Sequence, residues 1–444
     1  MENKGMKKEF GAFTALSVVV GCVIGSGVFF KPQAIYTITG GAPGMGMAAW
    51  LVGGIVSIFA ALTFTELAVM IPKTGGMVAY LGEVYGHKVG FLTGWMQTIL
   101  FYPAMVAALA VIGSQQLSTF FGDRYLIPIA LLLIVLVILS NAVGSKFGGG
   151  VQIASTICKL IPIGLIIVFG FVRGGNPAPI STPMVGIGLN PIATLGQLLL
   201  SVLFAFEGWT NVGAIAGEMK NPGKDLPKAI VGGVSVIMAV YFIINVAYLK
   251  VIPADQLATM AAPASAVAMA LFGDFGGKLI TIGIVISVFG TSNGFILAGS
   301  RVCYSLAVEG TLPGSAALSK LNGAQVPMNA ILLIGGLSAV YALSGQFNML
   351  TDLGIFTCWI FYTLTFLAVI KLRYERPDAV RTYRVPCYPV IPAIAIISGL
   401  FVIVNQLLFA GGRATIMSIG GIAITLAGLP IYTIMTEKNA KKRT

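Results

Sequence analysis

Long apolar segments, each bounded by Pro, Gly or charged residues, follow one another along almost the whole chain. Because an α-helix needs about 20 apolar residues to cross a bilayer, this pattern predicts an all-α membrane protein with twelve spans. The predicted spans are residues 11–36, 44–71, 89–119, 125–143, 150–173, 192–217, 229–252, 276–308, 327–345, 348–372, 388–410 and 414–436.

Two of these spans are interrupted near their middle. Gly25-Ser26-Gly27 breaks the first span, and Glu207-Gly208 breaks the sixth. An unwound backbone persists at membrane depth only where it is buried in protein or lines a cavity, although close packing of small residues could also explain the first break. Paired interruptions at corresponding positions of two halves are typical of a transporter binding site.

The first and sixth spans each open a possible unit of five spans, and an odd number of spans turns the second unit upside down in the membrane. This predicts a 5+5 inverted repeat with discontinuous helices 1 and 6. The predicted organisation is an N-terminal tail (1–10), a first repeat (11–173), a second repeat (192–372), two C-terminal helices (388–436) and a C-terminal tail (437–444).

Composition and charge support a membrane protein. Hydrophobic residues make up 57% of the 444 residues and charged residues 9%, too little polar surface to cover a soluble domain of this length. The net charge of +12 indicates topology rather than a nucleic acid partner, because the basic residues cluster in short loops. With both termini in the cytoplasm, 20 of the 27 Lys and Arg lie inside and 6 outside. The cluster 371–384 could also attract anionic membrane lipids.

The residues for catalysis or metal binding are missing. The five cysteines form no CxxC pair, and the only histidine, His87, is predicted in a loop. No nucleophile-base set is visible, so neither an enzyme nor a cofactor or metal is indicated. A sensor is also disfavoured, because no loop is long enough for a soluble signalling domain.

The two ends at the first break predict the ligand. The half-helix ending near Ile24 leaves unpaired carbonyls, including that of Val23, and the half-helix after Gly27 offers unpaired N–H groups. The carbonyl end attracts cations and the N–H end attracts anions. Carbonyls near Phe204 and Glu207, in the sixth span, would lie on the same side as the carbonyl end. An amino acid, with its ammonium and carboxylate a few ångströms apart, would satisfy both ends.

Several motifs follow one another along the chain: Gly21–Phe29, Phe64–Gly76, Phe204–Trp209, Gly217–Pro222 and Leu226–Ala229. In this order they resemble the amino acid, polyamine and organocation transporter superfamily. Within it, they resemble the L-type amino acid transporter family, particularly its bacterial serine/threonine and alanine-serine-cysteine exchangers. The resemblance implies twelve helices and alternating access around a central site.

The resemblance also implies roles for single residues. It places the substrate carboxylate on the N–H groups of Gly25, Ser26 and Gly27, with the Ser26 hydroxyl beside them. It places the substrate ammonium on the carbonyls of Val23, Phe204 and Glu207. Phe204 becomes an aromatic lid closing the site from outside, and Thr210 a pocket residue. A pocket of Ser26, Phe204 and Thr210 suggests a small neutral side chain.

The ionisable residues that lie at least partly within predicted spans include Glu66, Lys159, Glu207 and Asp352. A charge at the bilayer centre costs about 2.5–3.5 kcal/mol or more, so each is a functional candidate. Glu66 is interpreted as a gate or loop anchor and Asp352 as a helix-start residue. Glu207 could hold a cationic substrate or brace the unwound segment, and bracing is favoured.

Lys159 lies too deep to reach either membrane surface, so it must find partners inside the bundle. The resemblance places it where sodium-coupled relatives of the fold hold a sodium ion, bridging helix 1 near Gly21 and helix 8 at Ser287. A fixed ammonium there would replace the ion and couple substrate occupancy to helix movement. Transport is therefore predicted to be independent of sodium.

The sequence thus predicts an exchanger of small neutral L-amino acids in a bacterial-type plasma membrane. A cationic or broad-range amino acid transporter and a proton-coupled symporter in which Lys159 titrates remain open alternatives. The eukaryotic L-type carriers are joined through a cysteine to a single-span partner subunit. The corresponding loop, Thr119–Arg124, has no cysteine, so no such partner is expected.

Overall fold

Helices form almost all of the protein. The structure, a computed structural model, describes residues 9–409 and 411–441. The helices are α1 Ala12–Val23, α2 Gly27–Ile38, α3 Pro43–Met70, α4 Met77–Tyr85, α5 His87–Met96, α6 Tyr102–Phe121, α7 Leu126–Ala142, α8 Ser145–Arg173, α9 Pro191–Ala205, α10 Asn211–Ala214, α11 Pro222–Pro227, α12 Gly233–Val251, α13 Ala254–Leu257, α14 Pro263–Val308, α15 Ser315–Leu318, α16 Met328–Ala342, α17 Phe347–Glu375, α18 Val390–Leu408, α19 Gly412–Leu426 and α20 Gly428–Lys441. Residues 1–8 and 442–444 of the predicted tails, and residue 410 of the eleventh predicted span, lie outside the described residues.

Ten helical segments of the described chain are long and apolar enough to cross a membrane. They are Ala12–Ile38, Pro43–Met70, His87–Ser118, Asp123–Ala142, Lys146–Arg173, Pro222–Val251, Pro263–Val308, Phe347–Glu375, Val390–Leu408 and Thr415–Ala440. Two shorter apolar helices, Thr194–Ala205 and Met328–Ala342, lie at the sixth and ninth predicted spans. The fold is therefore that of an all-helical membrane protein.

Some boundaries differ from the sequence prediction. Helix α14 begins at Pro263, thirteen residues before the predicted span, and is interrupted at Gly273, whose φ of +72° lies outside helical geometry. The sequence pattern missed this earlier part because Gly273, Asp274 and two further glycines divide the apolar run. His87, predicted in a loop, is instead the first residue of α5.

Glu66 anchors the segment that follows α17. Its carboxylate accepts hydrogen bonds from the Arg373 guanidinium at 2.8 and 2.6 Å and from the Val385 N–H at 2.8 Å. Arg381 completes the cluster, with its Nε 3.3 Å from Glu66 Oε1. The buried carboxylate is thus paired, as a charge away from water must be.

A second buried ion pair fixes the segment after α10. Glu218 Oε1 accepts a hydrogen bond from Arg301 Nε at 2.9 Å, and both side chains are fully buried. The Glu218 carbonyl also accepts from the Phe10 N–H at 3.0 Å, where Phe10 pairs with Met219 in an isolated β-bridge. This contact ties the segment preceding α1 to the segment that follows α10.

Candidate functional site

Three residues separate α1 from α2. Helix α1 ends at Val23 and α2 begins at Gly27. Between them the Gly25 N–H turns back to the Val23 carbonyl at 2.8 Å, which is not a helical hydrogen bond. The Ser26 hydroxyl is buried and has no hydrogen-bond partner in the described part of the chain. Burying a hydroxyl without a hydrogen-bond partner costs free energy, so Ser26 Oγ is a candidate for contact with a ligand.

Five residues, 206–210, separate α9 from α10. Gly208 has a φ of +117°, a backbone conformation that essentially only glycine adopts without strain. The Glu207 carboxylate accepts hydrogen bonds from the Gly208 N–H at 3.0 Å and from Tyr362 Oη at 2.5 Å. Tyr362 Oη also lies 2.8 Å from the Thr210 hydroxyl. Helix α17 thereby holds both polar side chains of this break.

The two breaks lie directly against each other. A Cβ atom placed on Gly27 would lie 2.5 Å from the Ala205 Cα, and one placed on Gly208 would lie 2.8 Å from the Cys22 Cβ. Real Cβ atoms essentially never come so close to their neighbours. The close crossing of the two chain segments therefore requires glycine at both positions.

Lys159 reaches the first break from α8. Its Nζ donates hydrogen bonds to the carbonyls of Gly21 and Ile24, both at 2.6 Å, and to Thr291 Oγ1 of α14 at 3.0 Å. Three acceptors use the three donors of the ammonium. The side chain is fully buried, so one cation joins α1, α8 and α14 at the end of the first half-helix.

A cavity of about 20 Å³ lies where the breaks meet. Its lining comprises Cys22, Val23, Gly25, Ser26, Gly27, Met105, Leu109, Phe204, Glu207, Thr291 and Phe295. Since about 10–15 Å³ is enough for one water molecule, this cavity admits a molecule of that size and is too small for an amino acid. Binding a substrate requires the walls to move apart.

The structure places six of the ten predicted site residues in the lining of this cavity, whereas four are not part of it: Gly21, Lys159, Thr210 and Ser287. Thr210 is not part of the lining, because its hydroxyl lies against Tyr362. The α14 partner of Lys159 is Thr291, whereas Ser287, one turn earlier, contacts the Ile24 carbonyl at 3.5 Å. The Val23 carbonyl already accepts hydrogen bonds from Gly25 and from Tyr241.

Sequence reasoning missed three tyrosine and threonine side chains at the site. Tyr241 Oη donates to the Val23 carbonyl at 2.7 Å, Tyr362 contacts Glu207, and Thr291 contacts Lys159. Each lies in a long apolar helix, where a tyrosine or threonine is unremarkable by itself. The only available signal was that a buried carbonyl, carboxylate or ammonium needs a hydrogen-bond partner from another span.

The described residues offer no metal site of the usual kind. Across residues 9–409 and 411–441, no group of three or more His, Cys, Asp or Glu side chains is placed to hold a metal ion. The ionisable or partly charged groups at the two breaks include the Lys159 and Glu207 side chains and the ends of the half-helices.

The family model for amino acid permeases matches residues 10–433, nearly the whole chain. The chain belongs to the amino acid permease family. This confirms the resemblance found in the motifs, and the permease is therefore a multi-span membrane transporter and not an enzyme.

Named relatives of the permease are transporters and exchangers. The serine/threonine exchanger SteT of Bacillus subtilis is 39% identical, with 99% of each chain covered. The mouse Asc-type amino acid transporter 1 is 30% identical over 97% of this chain and 82% of its own. The human cystine/glutamate transporter is 29% identical over the whole of this chain and 88% of its own.

Proposed function

We propose that this permease exchanges small neutral L-amino acids, of the alanine, serine, threonine and cysteine class, across the plasma membrane without sodium. Amino acid exchange is supported by the 39% identity to a serine/threonine exchanger over the full length. Access to the site would alternate between the two sides of the membrane. The closed cavity must open to admit a substrate, and it would open to one side at a time.

The proposal includes the predicted topology. Twelve spans in two inverted units of five plus two C-terminal helices place both termini in the cytoplasm, as the distribution of Lys and Arg indicates. Ten long apolar segments and two shorter ones are compatible with this number. The permease would work in a bacterial membrane, surrounded by lipid and without a single-span partner subunit.

The observation that carries the proposal is the position of Lys159. Its ammonium bonds to the carbonyls of Gly21 and Ile24 at the C-terminal end of α1, which attracts cations. A sodium ion at this place would use the same oxygens, so the lysine leaves no oxygen pair for it. The fixed cation also joins α1 to α8 and α14. This favours transport driven by the exchange of one amino acid for another, and not by a sodium gradient.

The surroundings of the cavity support a small neutral substrate. Met105, Leu109 and Phe295 form an apolar wall, and Ser26 offers a buried hydroxyl without a partner. In the proposed complex the carboxylate lies on the N–H groups of Gly25, Ser26 and Gly27. The ammonium lies towards the carbonyls at the second break, those of Phe204 and Glu207, since the Val23 carbonyl has two protein donors already.

Radiolabelled alanine uptake into proteoliposomes tests the exchange. Vesicles loaded with serine are expected to take up alanine equally in sodium and in choline buffer, and empty vesicles are expected to take up little. A proton gradient is expected to change neither rate. Accumulation by empty vesicles under a proton gradient would instead establish a symporter, and a requirement for sodium would contradict the role given to Lys159.

A cationic substrate is the second candidate, because Glu207 lines the cavity. Its carboxylate is, however, held by Tyr362 and by the Gly208 N–H, which supports a bracing role. We therefore expect Glu207→Gln to slow alanine exchange without a selective effect on arginine, since a neutral amide oxygen accepts the two hydrogen bonds to Oε1 more weakly than a carboxylate does. Tyr362→Phe, which removes the other partner, is the matched variant and is expected to act in the same direction.

The measurement is inhibition of alanine exchange by unlabelled arginine or alanine in both variants. If Glu207→Gln abolished arginine inhibition and left alanine inhibition intact, the carboxylate would be a substrate ligand and the permease a cationic or broad-range carrier.

A further inference from the structure

Lys31 is a buried cation that the site described above does not use. It lies in α2, one turn beyond the first break, and only 2% of its surface is exposed. Its Nζ has one long hydrogen bond, of 3.4 Å, to Asn348 Oδ1. No carboxylate oxygen of the described chain lies within 4.0 Å of it. An ammonium carries three donors, so this charge is buried with its hydrogen-bonding capacity largely unused.

Two aromatic rings also lie beside the ammonium. Lys31 Nζ lies 4.7 Å from the centre of the Phe204 ring and 5.5 Å from that of Phe347. The two rings pack edge to face with their centres 5.7 Å apart. Ring faces attract a cation but accept no conventional hydrogen bond. The ammonium is therefore held in place while its N–H groups remain available to an anion.

Lys31 lies between residues that line two different cavities, although its own side chain is part of neither lining. Phe204 lines the small cavity at the breaks, whereas Phe347 and Asn348 line a separate open cavity of about 420 Å³. Residues of α2 on both sides of Lys31, Phe30 and Gln33, line this larger cavity too. The ammonium and the two rings therefore lie between the wall of the larger cavity and that of the smaller one.

Asp352 is the acidic residue that acts on Lys31. It lies in α17, one turn after Asn348, and interacts with Lys31 electrostatically without forming an ion pair at short distance. Asp352 is not the helix-start residue that the sequence predicts, because α17 begins five residues earlier, at Phe347. Asp352 offsets part of the charge and leaves the ammonium free to bind another anion.

We propose that Lys31 binds the carboxylate of an amino acid in the larger cavity, before the Phe204 ring moves aside and the substrate reaches Ser26. Lys31 thus forms an entry site, distinct from the backbone N–H groups at the first break. The inference rests on the proposed function, because the larger cavity faces outside only if the N-terminus is cytoplasmic.

The test compares the two sides of the membrane. Permease carrying Lys31→Met is reconstituted in one orientation, and the KM for alanine is measured separately for the outer and the inner face during exchange for serine. Methionine keeps the length and the apolar stem and removes the charge. Lys250→Met is the matched control, because Lys250 also lies over an aromatic ring, but that ring, Phe171, lines neither of the two cavities.

For Lys31→Met we expect the outer KM to rise about ten-fold, the loss expected for one hydrogen bond to a charged group, with the inner KM unchanged. Thermal unfolding should not shift to lower temperature, because the variant removes a poorly paired buried charge. Lys250→Met should change neither KM.

An unchanged or lower outer KM, or an equal rise on both faces, would refute the entry site. Lys31→Gln provides the same comparison if the methionine variant does not fold. Wild-type permease that failed to exchange alanine for serine would refute the proposed function itself, so the two failures are distinguishable.

Discussion

Lys159→Met is expected to reduce alanine exchange by about 100-fold, near the upper end of what coupling between two sites of a protein supplies. The substitution removes the three hydrogen bonds by which one ammonium joins the carbonyls of Gly21 and Ile24 to Thr291. Methionine fills a similar volume, so α8 can still pack, but α1 is no longer tied to α8 and α14 by a charge. Substrate at the first break would then no longer be coupled to movement of those helices.

Exchange of labelled alanine in serine-loaded vesicles measures this effect, together with thermal unfolding of the purified variant. We expect little change in unfolding temperature, because the lost hydrogen bonds are offset by removal of a buried charge. Lys146→Met, an exposed lysine at the start of the same helix, is the control and should exchange normally. Normal exchange by Lys159→Met would show that the lysine only fills space.

Gly208→Ala is expected to abolish exchange and to lower stability. The φ of +117° at Gly208 is unfavourable for alanine, at a cost of about 1–3 kcal/mol. The new methyl group would also lie 2.8 Å from the Cys22 Cβ and 2.9 Å from the Cys22 carbonyl carbon. The clash would push the two breaks apart and misplace the carbonyls proposed to bind the substrate ammonium.

The same exchange assay and a thermal unfolding curve measure the effect of Gly208→Ala. Gly164→Ala is the matched control, since Gly164 lies in the interior of α8 with no atom within 4 Å of an added Cβ. Gly164→Ala should leave stability unchanged or raise it slightly, because alanine favours the helix more than glycine does. Wild-type exchange by Gly208→Ala would mean that the crossing of the breaks is not needed for transport.

The sequence by itself determined the features that depend on neighbouring residues. Apolar runs predict helices, and the all-helical architecture and the membership of the permease family agree with that prediction. Glycines and a carboxylate mark the interruptions near Gly25 and Gly208, and helices α1 and α9 end beside them. The depth of Lys159 within an apolar run required partners inside the bundle. These are local properties of composition and spacing, so they can be recognised in a single sequence.

The tertiary structure alone decided which side chains meet. Tyr241 lies 218 residues from Val23 in the sequence, and Tyr362 lies 155 residues from Glu207, yet each pair is hydrogen bonded. Lys31 sits inside a predicted span, directly before Pro32, and nothing in its neighbours indicates Phe204 or Phe347. Such contacts depend on how each helix is rotated and packed against the others. A hydrophobic pattern does not encode that rotation at the level of one residue, so Thr291 rather than Ser287 faces Lys159 for a reason that only the packed bundle supplies.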